Sequence, residues 1–230
     1  MRHIFFVLAV LASFCTTFDT KAADYRNERI KSFVEQTPRN VENRISTLAE
    51  YLTKPYNNNY DKAKAIAFWI AGHINYDSYL YNNGRTTKLL NTYMGQSAND
   101  LLKSRVGICG DFAELFATLC RAAGIKAVKV HGYAYSTNGY LSTKELQNSG
   151  HAWNYFLYKN QKIYVDTTFM AKGRTKLSGR PTNLRHRRAL KEIRRDNKYT
   201  SQMNDFDDYY FDFSYRQEER ERGYKHQEMR

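Results

Sequence analysis

One cysteine of this chain lies in a setting that favours nucleophilic chemistry. Cys109 occurs in RVGICGDFAELFATLCRAAGI, residues 105–125, where one glycine follows it directly and another precedes it by two positions. The apolar periodicity after it predicts a long buried helix that begins at about Gly110 or Asp111 and ends at Gly124. The first turn of a helix carries unpaired backbone N–H groups and the positive end of the helix dipole, and both stabilise a thiolate. Cys109 is therefore a candidate nucleophile.

A nucleophilic cysteine needs a base, and the base needs a group that orients it. The segment GHAWNYFLYKNQKIYVDTTF, residues 150–169, carries His151 at the start of one predicted strand and Asp166 near the end of the next. A hairpin that turns between Tyr158 and Asn160 places the two side chains opposite or nearly opposite each other, within reach of a hydrogen bond. Asp166 would then fix the tautomer of His151, which would take the thiol proton and later protonate the leaving amine. The three residues predict acyl transfer by a Cys-His-Asp triad.

Three further residues are candidates for contacts with a substrate. The backbone N–H groups around Gly110 could hold the oxyanion of an acyl-transfer intermediate, and Tyr76, in the segment INYD, could donate a hydrogen bond to it. Trp153 could form a wall of an acyl-donor cleft, although burial is the commoner role of a large aromatic side chain. His73 is expected to pack or to cap its helix, and His131 is expected to be a residue of the sheet. Neither is expected to act in catalysis.

Helices precede strands along the chain. Apolar residues at steps of three and four, together with capping residues, predict helices before residue 125, in segments 38–54, 61–74, 97–107 and 110–124. Runs of β-branched and aromatic residues then predict strands in segments 126–135, 151–158 and 162–169. This order indicates an α+β fold in which the helices pack on an antiparallel sheet.

Residues 1–22 have the pattern of a secretory signal peptide. A basic start at Arg2 precedes an apolar run that begins at Ile4, and small residues follow near Ala22. The run is shorter than the ~20 apolar residues that cross a membrane, and no later segment approaches that length. We expect export to the periplasm or the medium after ordinary cleavage, with lipidation at Cys15 as the alternative.

The other two cysteines are expected to be free thiols. Cys109 and Cys120 would lie about 16 Å apart on one helix, well beyond the Cα separation of a disulfide. Cys120 has a core spacing and is expected to pack as a small hydrophobic residue.

The chain is strongly basic, with a formal net charge of +13. Much of this charge lies in residues 172–198, where the pattern predicts a basic surface helix. That helix is either a solvated face or a surface for anionic envelope polymers, lipid headgroups or acidic proteins. An exported protein is not expected to bind nucleic acid.

The sequence contains no CxxC, HExxH, P-loop or dinucleotide fingerprint, so we expect neither a metal nor a cofactor.

The chain resembles the transglutaminase-like superfamily, whose papain-like fold is shared by transglutaminases, peptide N-glycanases and exported bacterial proteins of the kyphoscoliosis-peptidase type. The resemblance lies in AIAFWIAGHINYD, GICGDFAELFATLCRAAGI, GHAWNYF and YVDTTF, within residues 61–170. It implies that Cys109, His151 and Asp166 occupy the catalytic positions and that an amide acyl group passes to water or to an amine. The later segment DDYYFDFSY resembles the one that follows the family's core, without its usual proline and His-x-Pro stretch.

Four segments follow from these patterns. They are a signal peptide (1–22), an N-terminal helical segment (23–60), a transglutaminase-like core (61–170) and a basic C-terminal extension (171–230). The end of the extension, RQEERERGYKHQEMR, is mixed in charge and is expected to be a frayed helix.

Two functions are consistent with the sequence. The first is a secreted peptidase, amidase or transglutaminase-like enzyme that forms a thioester at Cys109 with a protein or cell-wall peptide. The second is a catalytically inactive module that binds an anionic envelope or protein partner. An intact triad favours the enzyme, and the sequence does not separate hydrolysis from transamidation.

Overall fold

Most of the helices in the described residues precede residue 125, as the sequence patterns predict. A computed structural model describes residues 23–78, 80, 95–136, 150–172 and 203–229, so the predicted signal peptide and nearly all of the basic 172–198 segment lie outside the described residues. The elements up to the candidate nucleophile are α1 (residues 23–35), α2 (Ile45–Thr53), α3 (Asn59–His73), β1 (Asn75–Tyr76), α4 (Ala98–Ser104), β2 (Val106–Gly107) and α5 (Cys109–Ala122).

Strands dominate the second half of the described chain. The elements are β3 (Ala127–Ser136), β4 (Gly150–Tyr158), β5 (Gln161–Val165), α6 (Thr167–Met170), a 3₁₀ turn (Asp208–Tyr210), α7 (Tyr215–Arg222) and β6 (Tyr224–Glu228). None of the helices within the described ranges is long and apolar enough to cross a membrane.

Side-chain caps and one glycine set several helix boundaries. The side chain of Asn58 accepts a hydrogen bond from the Asp61 N–H at the start of α3, and that of Ser97 accepts one from the Asp100 N–H at the start of α4. After α5 the chain turns at Gly124, whose φ of +76° suits glycine. The cap at Ser97 and the turn at Gly124 agree with the sequence patterns. Helix α3 begins two residues before the predicted start, and α4 ends at Ser104 rather than near residue 107, because Arg105 has a positive φ of 58°.

The helix predicted over residues 38–54 begins only at Ile45, because tertiary contacts hold the preceding segment in turns. The carboxylate of Glu42 accepts hydrogen bonds from Arg105 at 3.0 Å and from the indole N–H of Trp69 at 3.2 Å. The Arg105 guanidinium also lies 4.6 Å from the Trp69 ring centroid. These contacts draw Glu42 towards the body of the protein and override the local helical pattern.

The main sheet has four antiparallel strands in the order β5-β4-β3-β6. A two-residue turn, Lys159-Asn160, joins β4 to β5, and both residues have positive φ, as a tight hairpin requires. In this register Asn154 pairs with Val165, so the residue after Val165 lies diagonally across from His151. The predicted hairpin is therefore confirmed, and it sets the register of the two candidate triad members that it carries.

The hydrophobic core lies between the sheet and the helices. The large aromatic side chains of Phe112 and Phe116 on α5, Trp69 on α3 and Phe156 on β4 are all almost completely buried. Helix α5 is thus packed on the strands on one side and on α2 and α3 on the other. A rigid core around α5 holds its N-terminus in a fixed place.

Only the first half of the segment RQEERERGYKHQEMR forms the predicted helix. Helix α7 ends at Gly223, whose φ is 62°, and the chain continues as β6, which pairs with the free edge of β3. Since β6 satisfies the backbone groups of β3 and buries His226, pairing at this edge outweighs the helical propensity of the charged segment before it. Residues 224–228 are therefore an integral part of the sheet.

Gly132 lies on β3 against the backbone of β6, and its replacement tests this pairing. A Cβ on Gly132 would collide with the Gln227 carbonyl oxygen and lie 2.5 Å from Cη2 of Trp153. We expect Gly132→Ala to lower the free energy of unfolding by about 1–3 kcal/mol, measured by urea denaturation. Gly150→Ala is the control, because a Cβ there has nothing within 4 Å, and it should change stability by less than about 0.5 kcal/mol. Equal stabilities of the two variants would contradict the packing of β6.

Candidate active site

The segment before α5 is braced so that the helix begins at Cys109. Strands β1 and β2 form a short parallel pair, in which Tyr76 lies opposite Gly107. One oxygen of the Asp111 carboxylate accepts a hydrogen bond from the Ile108 N–H at 2.9 Å, and the other accepts one from the Gln96 N–H at 2.8 Å. The loop that carries Cys109 is therefore tied both to the helix that it enters and to the neighbouring chain.

The start of α5 presents backbone donors beside the thiol. The intrahelical hydrogen bonds begin with the N–H groups of Asp111 and Phe112, which donate to the Ile108 carbonyl oxygen. The N–H groups of Cys109 and Gly110 precede these bonds, so the helix itself does not use them. An anion at the thiol, or an oxyanion next to it, would face these donors and the positive end of the helix dipole.

The structure brings the three predicted triad residues together. Nε2 of His151 lies 2.6 Å from Oδ2 of Asp166, and the imidazole is the group that lowers the pKa of the Cys109 thiol. Because Nε2 is engaged by the carboxylate, Nδ1 is the ring nitrogen left for the sulfur. The Asp166 side chain is completely buried and that of His151 is 8% exposed. The result is a hydrogen-bonded imidazole and carboxylate with the thiol beside the imidazole.

Burial and the neighbouring charges shift the pKa values of these three residues in opposite directions, and the charges have the larger effect. Burial raises the pKa of the Cys109 thiol, but the hydrogen bond and positive charge of His151 outweigh it, so that this pKa is lowered. Burial likewise lowers the pKa of His151, while the Asp166 carboxylate raises it to about 10. Burial raises the pKa of Asp166, and the imidazole contacts bring it well below its ordinary range. Both shifts favour the thiolate and imidazolium form of the pair over the neutral thiol and imidazole.

Asp166 is held by four hydrogen bonds. As the N-cap of α6, its Oδ1 accepts from the N–H groups of Thr168 at 2.9 Å and Phe169 at 3.0 Å. Its Oδ2 is shared by Nε2 of His151 and, at 3.0 Å, Nε2 of His226. With both oxygens doubly engaged, the carboxylate has no freedom to rotate away from His151.

Sequence reasoning missed His226 and its partner Glu218. Nδ1 of His226 lies 2.9 and 2.8 Å from the two carboxylate oxygens of Glu218, and both side chains are fully buried. The two residues are in the segment assigned to a frayed helix, where a histidine and a glutamate attract no notice. Only His226 of the five residues in YKHQE is buried, so the segment has no alternating apolar pattern that could have indicated the strand.

The other sequence candidates are placed as follows. Gly110 is in the first turn of α5, and Tyr76 lies on β1 with its ring 6.4 Å from that of Phe112. Trp153 is only 1% exposed and donates its indole N–H to the Tyr215 hydroxyl at 2.9 Å. The ring of Trp153 packs against His151, 5.9 Å between centroids, so its contact with the site is through that imidazole.

Two other histidines and the second cysteine lie apart from the triad. The ring of His73 stacks on Trp69, and burial lowers its pKa to about 4. His131 is exposed on β3. Cys109 and Cys120 are both free, as expected, and Cys120 is completely buried in the core, where burial raises its pKa well above the ordinary range.

Within the described residues, one group of three side chains has the spacing of a metal site. The ligand atoms of His151, Asp166 and His226 all lie within 4.8 Å of one another. However, the distances of 2.6 and 3.0 Å from the two imidazoles to Oδ2 are hydrogen-bond lengths, so both nitrogens carry protons. A metal would require deprotonated nitrogens, and the arrangement therefore favours proton transfer over metal binding.

Comparison with known proteins finds relatives over the same part of the chain. The chain is 27% identical over 130 residues to kyphoscoliosis peptidase of Mus musculus, a match that covers 56% of this chain and 18% of that protein. It is 29% identical over 130 residues to the uncharacterised protein YebA of Bacillus subtilis strain 168, covering 51% of this chain and 16% of that protein. The chain thus spans less than a fifth of the length of these curated relatives.

A solved structure and a family profile complete the comparison. The periplasmic domain of TgpA from Pseudomonas aeruginosa has a TM-score of 0.41 and 20% identity, covering 62% of this chain and 48% of that chain. The profile of the transglutaminase-like superfamily matches residues 46–167, more than half of this chain. The matched range includes Cys109, His151 and Asp166, and the expected α+β fold, with a cysteine at a helix N-terminus, is confirmed. The chain therefore belongs to the transglutaminase-like superfamily and has its papain-like fold.

Proposed function

We propose that this protein is a cysteine-dependent amide acyl-transfer enzyme whose catalytic residues are Cys109, His151 and Asp166. The observation that carries the proposal is the His151–Asp166 hydrogen bond of 2.6 Å beside Cys109 at the start of α5, where the imidazole lowers the pKa of the thiol. The lowered pKa of Cys109 and the raised pKa of His151 support it, because together they supply a nucleophile and an acid in the same resting state.

The reaction follows from these roles. The Cys109 thiolate attacks the carbonyl carbon of an amide, and the oxyanion that forms is held by the N–H groups at the start of α5. Collapse of this intermediate breaks the C–N bond, and His151 gives its proton to the leaving amine. The remaining thioester is attacked by water or by a second amine, whose proton passes to His151 as the thiolate is released. Asp166 keeps the imidazole oriented throughout.

The substrate class is proposed from the family and from the chemistry of the site. The kyphoscoliosis peptidases among the relatives favour a peptide or isopeptide bond as the acyl donor. With the secretory pattern of residues 1–22, we place the reaction in the periplasm or the medium, on proteins or cell-wall peptide. The basic 172–198 segment would then bring the enzyme to an anionic envelope polymer.

One observation favours the alternative, an inactive module that binds such a partner. The His151 side chain is only 8% exposed, and its ring is flanked by Phe169 at 4.8 Å between centroids. If this packing closes the site to every acyl donor, Cys109 would be unreactive in the folded protein.

Alkylation of the reduced protein by iodoacetamide, measured against pH, separates the two functions. We expect Cys109 to react with a midpoint clearly below about 8.5, because the imidazolium of His151 stabilises its thiolate. Mass spectrometry assigns the modified cysteine, and Cys120 serves as the internal control, since it is fully buried and should be protected.

The variant His151→Ala tests whether the imidazole of His151 is the cause of a lowered Cys109 midpoint. Its Cys109 should titrate like an ordinary thiol, because the imidazolium is gone. A Cys109 that is protected in the folded protein, or that titrates at the ordinary value when His151 is present, would contradict the proposed enzyme and support the binding module.

A further inference from the structure

His226 lies between two buried carboxylates. Its Nε2 is 3.0 Å from Oδ2 of Asp166, and its Nδ1 is 2.8 Å from Oε2 of Glu218. The side chains of His226, Asp166 and Glu218 are all fully buried. Asp166 precedes α6, Glu218 belongs to α7 and His226 belongs to β6, so the cluster joins three parts of the chain around the candidate triad.

This geometry sets the charge on His226. An ionised carboxylate can only accept hydrogen bonds, and a neutral imidazole has only one N–H to donate. With both carboxylates ionised, both ring nitrogens must carry protons, and His226 is an imidazolium. Burial lowers the pKa of His226, but the hydrogen bonds to Asp166 and Glu218 outweigh it and raise that pKa above its ordinary value.

We propose that His226, held by Glu218, is a buried imidazolium and a positioning residue that fixes Asp166 against His151 and limits the proton affinity of His151. The proposal rests on the proposed function of the triad. It makes α7 and β6 part of the active site, although they follow the range that matches the family profile.

The shared oxygen explains how His226 acts on His151. Both imidazoles donate to Oδ2 of Asp166, and their ring centroids are 5.5 Å apart. Two positive charges at this distance repel, so His226 partly offsets the stabilisation that Asp166 gives to the His151 imidazolium. Asp166 would otherwise hold the proton on His151 too strongly for its transfer to a leaving amine.

The remaining neighbours of His226 do not carry a competing charge. Tyr215 stacks on its ring at 6.2 Å between centroids, and burial raises the pKa of that phenol, which stays neutral near pH 7. The other rings packed against His226 are those of Trp153, Phe169 and Phe213, which do not titrate. Asp166, Glu218 and His151 are therefore the titratable groups that determine its state.

Histidine ¹⁵N NMR of the whole protein between pH 5 and about 12 tests the proposal directly, because the expected His151 midpoints lie near the alkaline end of this range. We expect both ring nitrogens of His226 to be protonated at pH 7. In Glu218→Gln, the amide can donate to Nδ1, so that His226 becomes neutral while Nε2–H still donates to Asp166. We expect the midpoint for loss of the His151 proton to rise by about one pH unit in this variant.

The neighbouring residue supplies a matched control. Glu219 is on the same helix but is 46% exposed and 3.8 Å from Lys225, so Glu219→Gln should leave both histidines unchanged. A neutral His226 in the unaltered protein, or an unchanged His151 midpoint when Glu218→Gln has neutralised His226, would overturn the proposal. Since neither readout requires turnover, failure here is distinct from failure of the triad, which the alkylation of Cys109 measures.

Discussion

Replacement of Cys109 by alanine is expected to reduce acyl transfer by about 10⁵–10⁶-fold, because the triad has no other nucleophile. The fold should be retained, since Cys109 lies at the surface end of α5 and is only partly buried, outside the hydrophobic core. Activity is measured as release of amine from a peptide amide that the unaltered protein cleaves, chosen from a panel of peptides. Intact mass of the protein during turnover should show the acyl adduct, which the variant should lack.

Cys120→Ala is the matched control for this experiment. Cys120 is on the same helix and is fully buried in the core, so its replacement should lower the free energy of unfolding by about 1 kcal/mol and leave the activity unchanged. An equal loss of activity in both variants would mean that the Cys109 effect comes from the helix rather than from the thiol. Full activity of Cys109→Ala would contradict the proposed mechanism outright.

The sequence could predict the position of the triad because short-range patterns set its geometry. The glycines around Cys109 and the helix that follows it identified the nucleophile. The His151–Asp166 pair was predicted from a hairpin in which the two residues are only 15 positions apart. A two-residue turn fixes the register of such a hairpin, so that side chains near its open end meet predictably. The α+β order of elements followed from the periodicity in the same way.

The environment of Asp166 could not be predicted, because it depends on a contact between residues far apart in the chain. His226 follows Asp166 by sixty residues, and only the pairing of β6 with β3 brings it to the carboxylate. Its local sequence, beside the charged and helix-favouring EERER, contains no sign of that pairing. Glu218 was equally hidden, since a glutamate in a charged helix is usually solvated.

The role of Trp153 depends on how deeply its ring is buried, which the spacing of residues in the sequence does not show. Trp153 was a candidate for the wall of a cleft. The alternating pattern of its strand does not show which face of the sheet is exposed. The closure of the sheet by β6 and α7 covers this ring, as its hydrogen bond to Tyr215 shows. Since those elements come last in the chain, the local pattern around residue 153 could not reveal how deeply the ring is buried.

Asp166→Asn is expected to reduce acyl transfer by about 10⁴-fold, a smaller loss than the roughly 10⁵-fold or greater effect of His151→Ala. The reason for the loss is the number of donors that face this side chain. Asp166 accepts from two backbone N–H groups on Oδ1 and from two imidazoles on Oδ2. Asparagine has only one oxygen, so its NH₂ group must face one of these pairs of donors. Steady-state kinetics and thermal unfolding of each variant measure the two effects.

The NH₂ group of asparagine among these donors should also change the pH dependence of Cys109 alkylation, which a general loss of stability would not do. If the amide NH₂ faces the imidazoles, His151 must change tautomer to accept from it, and Nδ1 then carries the proton and cannot take one from Cys109. Cys109 alkylation should accordingly shift towards the ordinary thiol midpoint. Asp205→Asn is the control, because that carboxylate is exposed in a surface ion pair with Lys172 and should affect neither readout. If Asp166→Asn kept full activity, or lost more than His151→Ala, Asp166 would not be the orienting member of the triad.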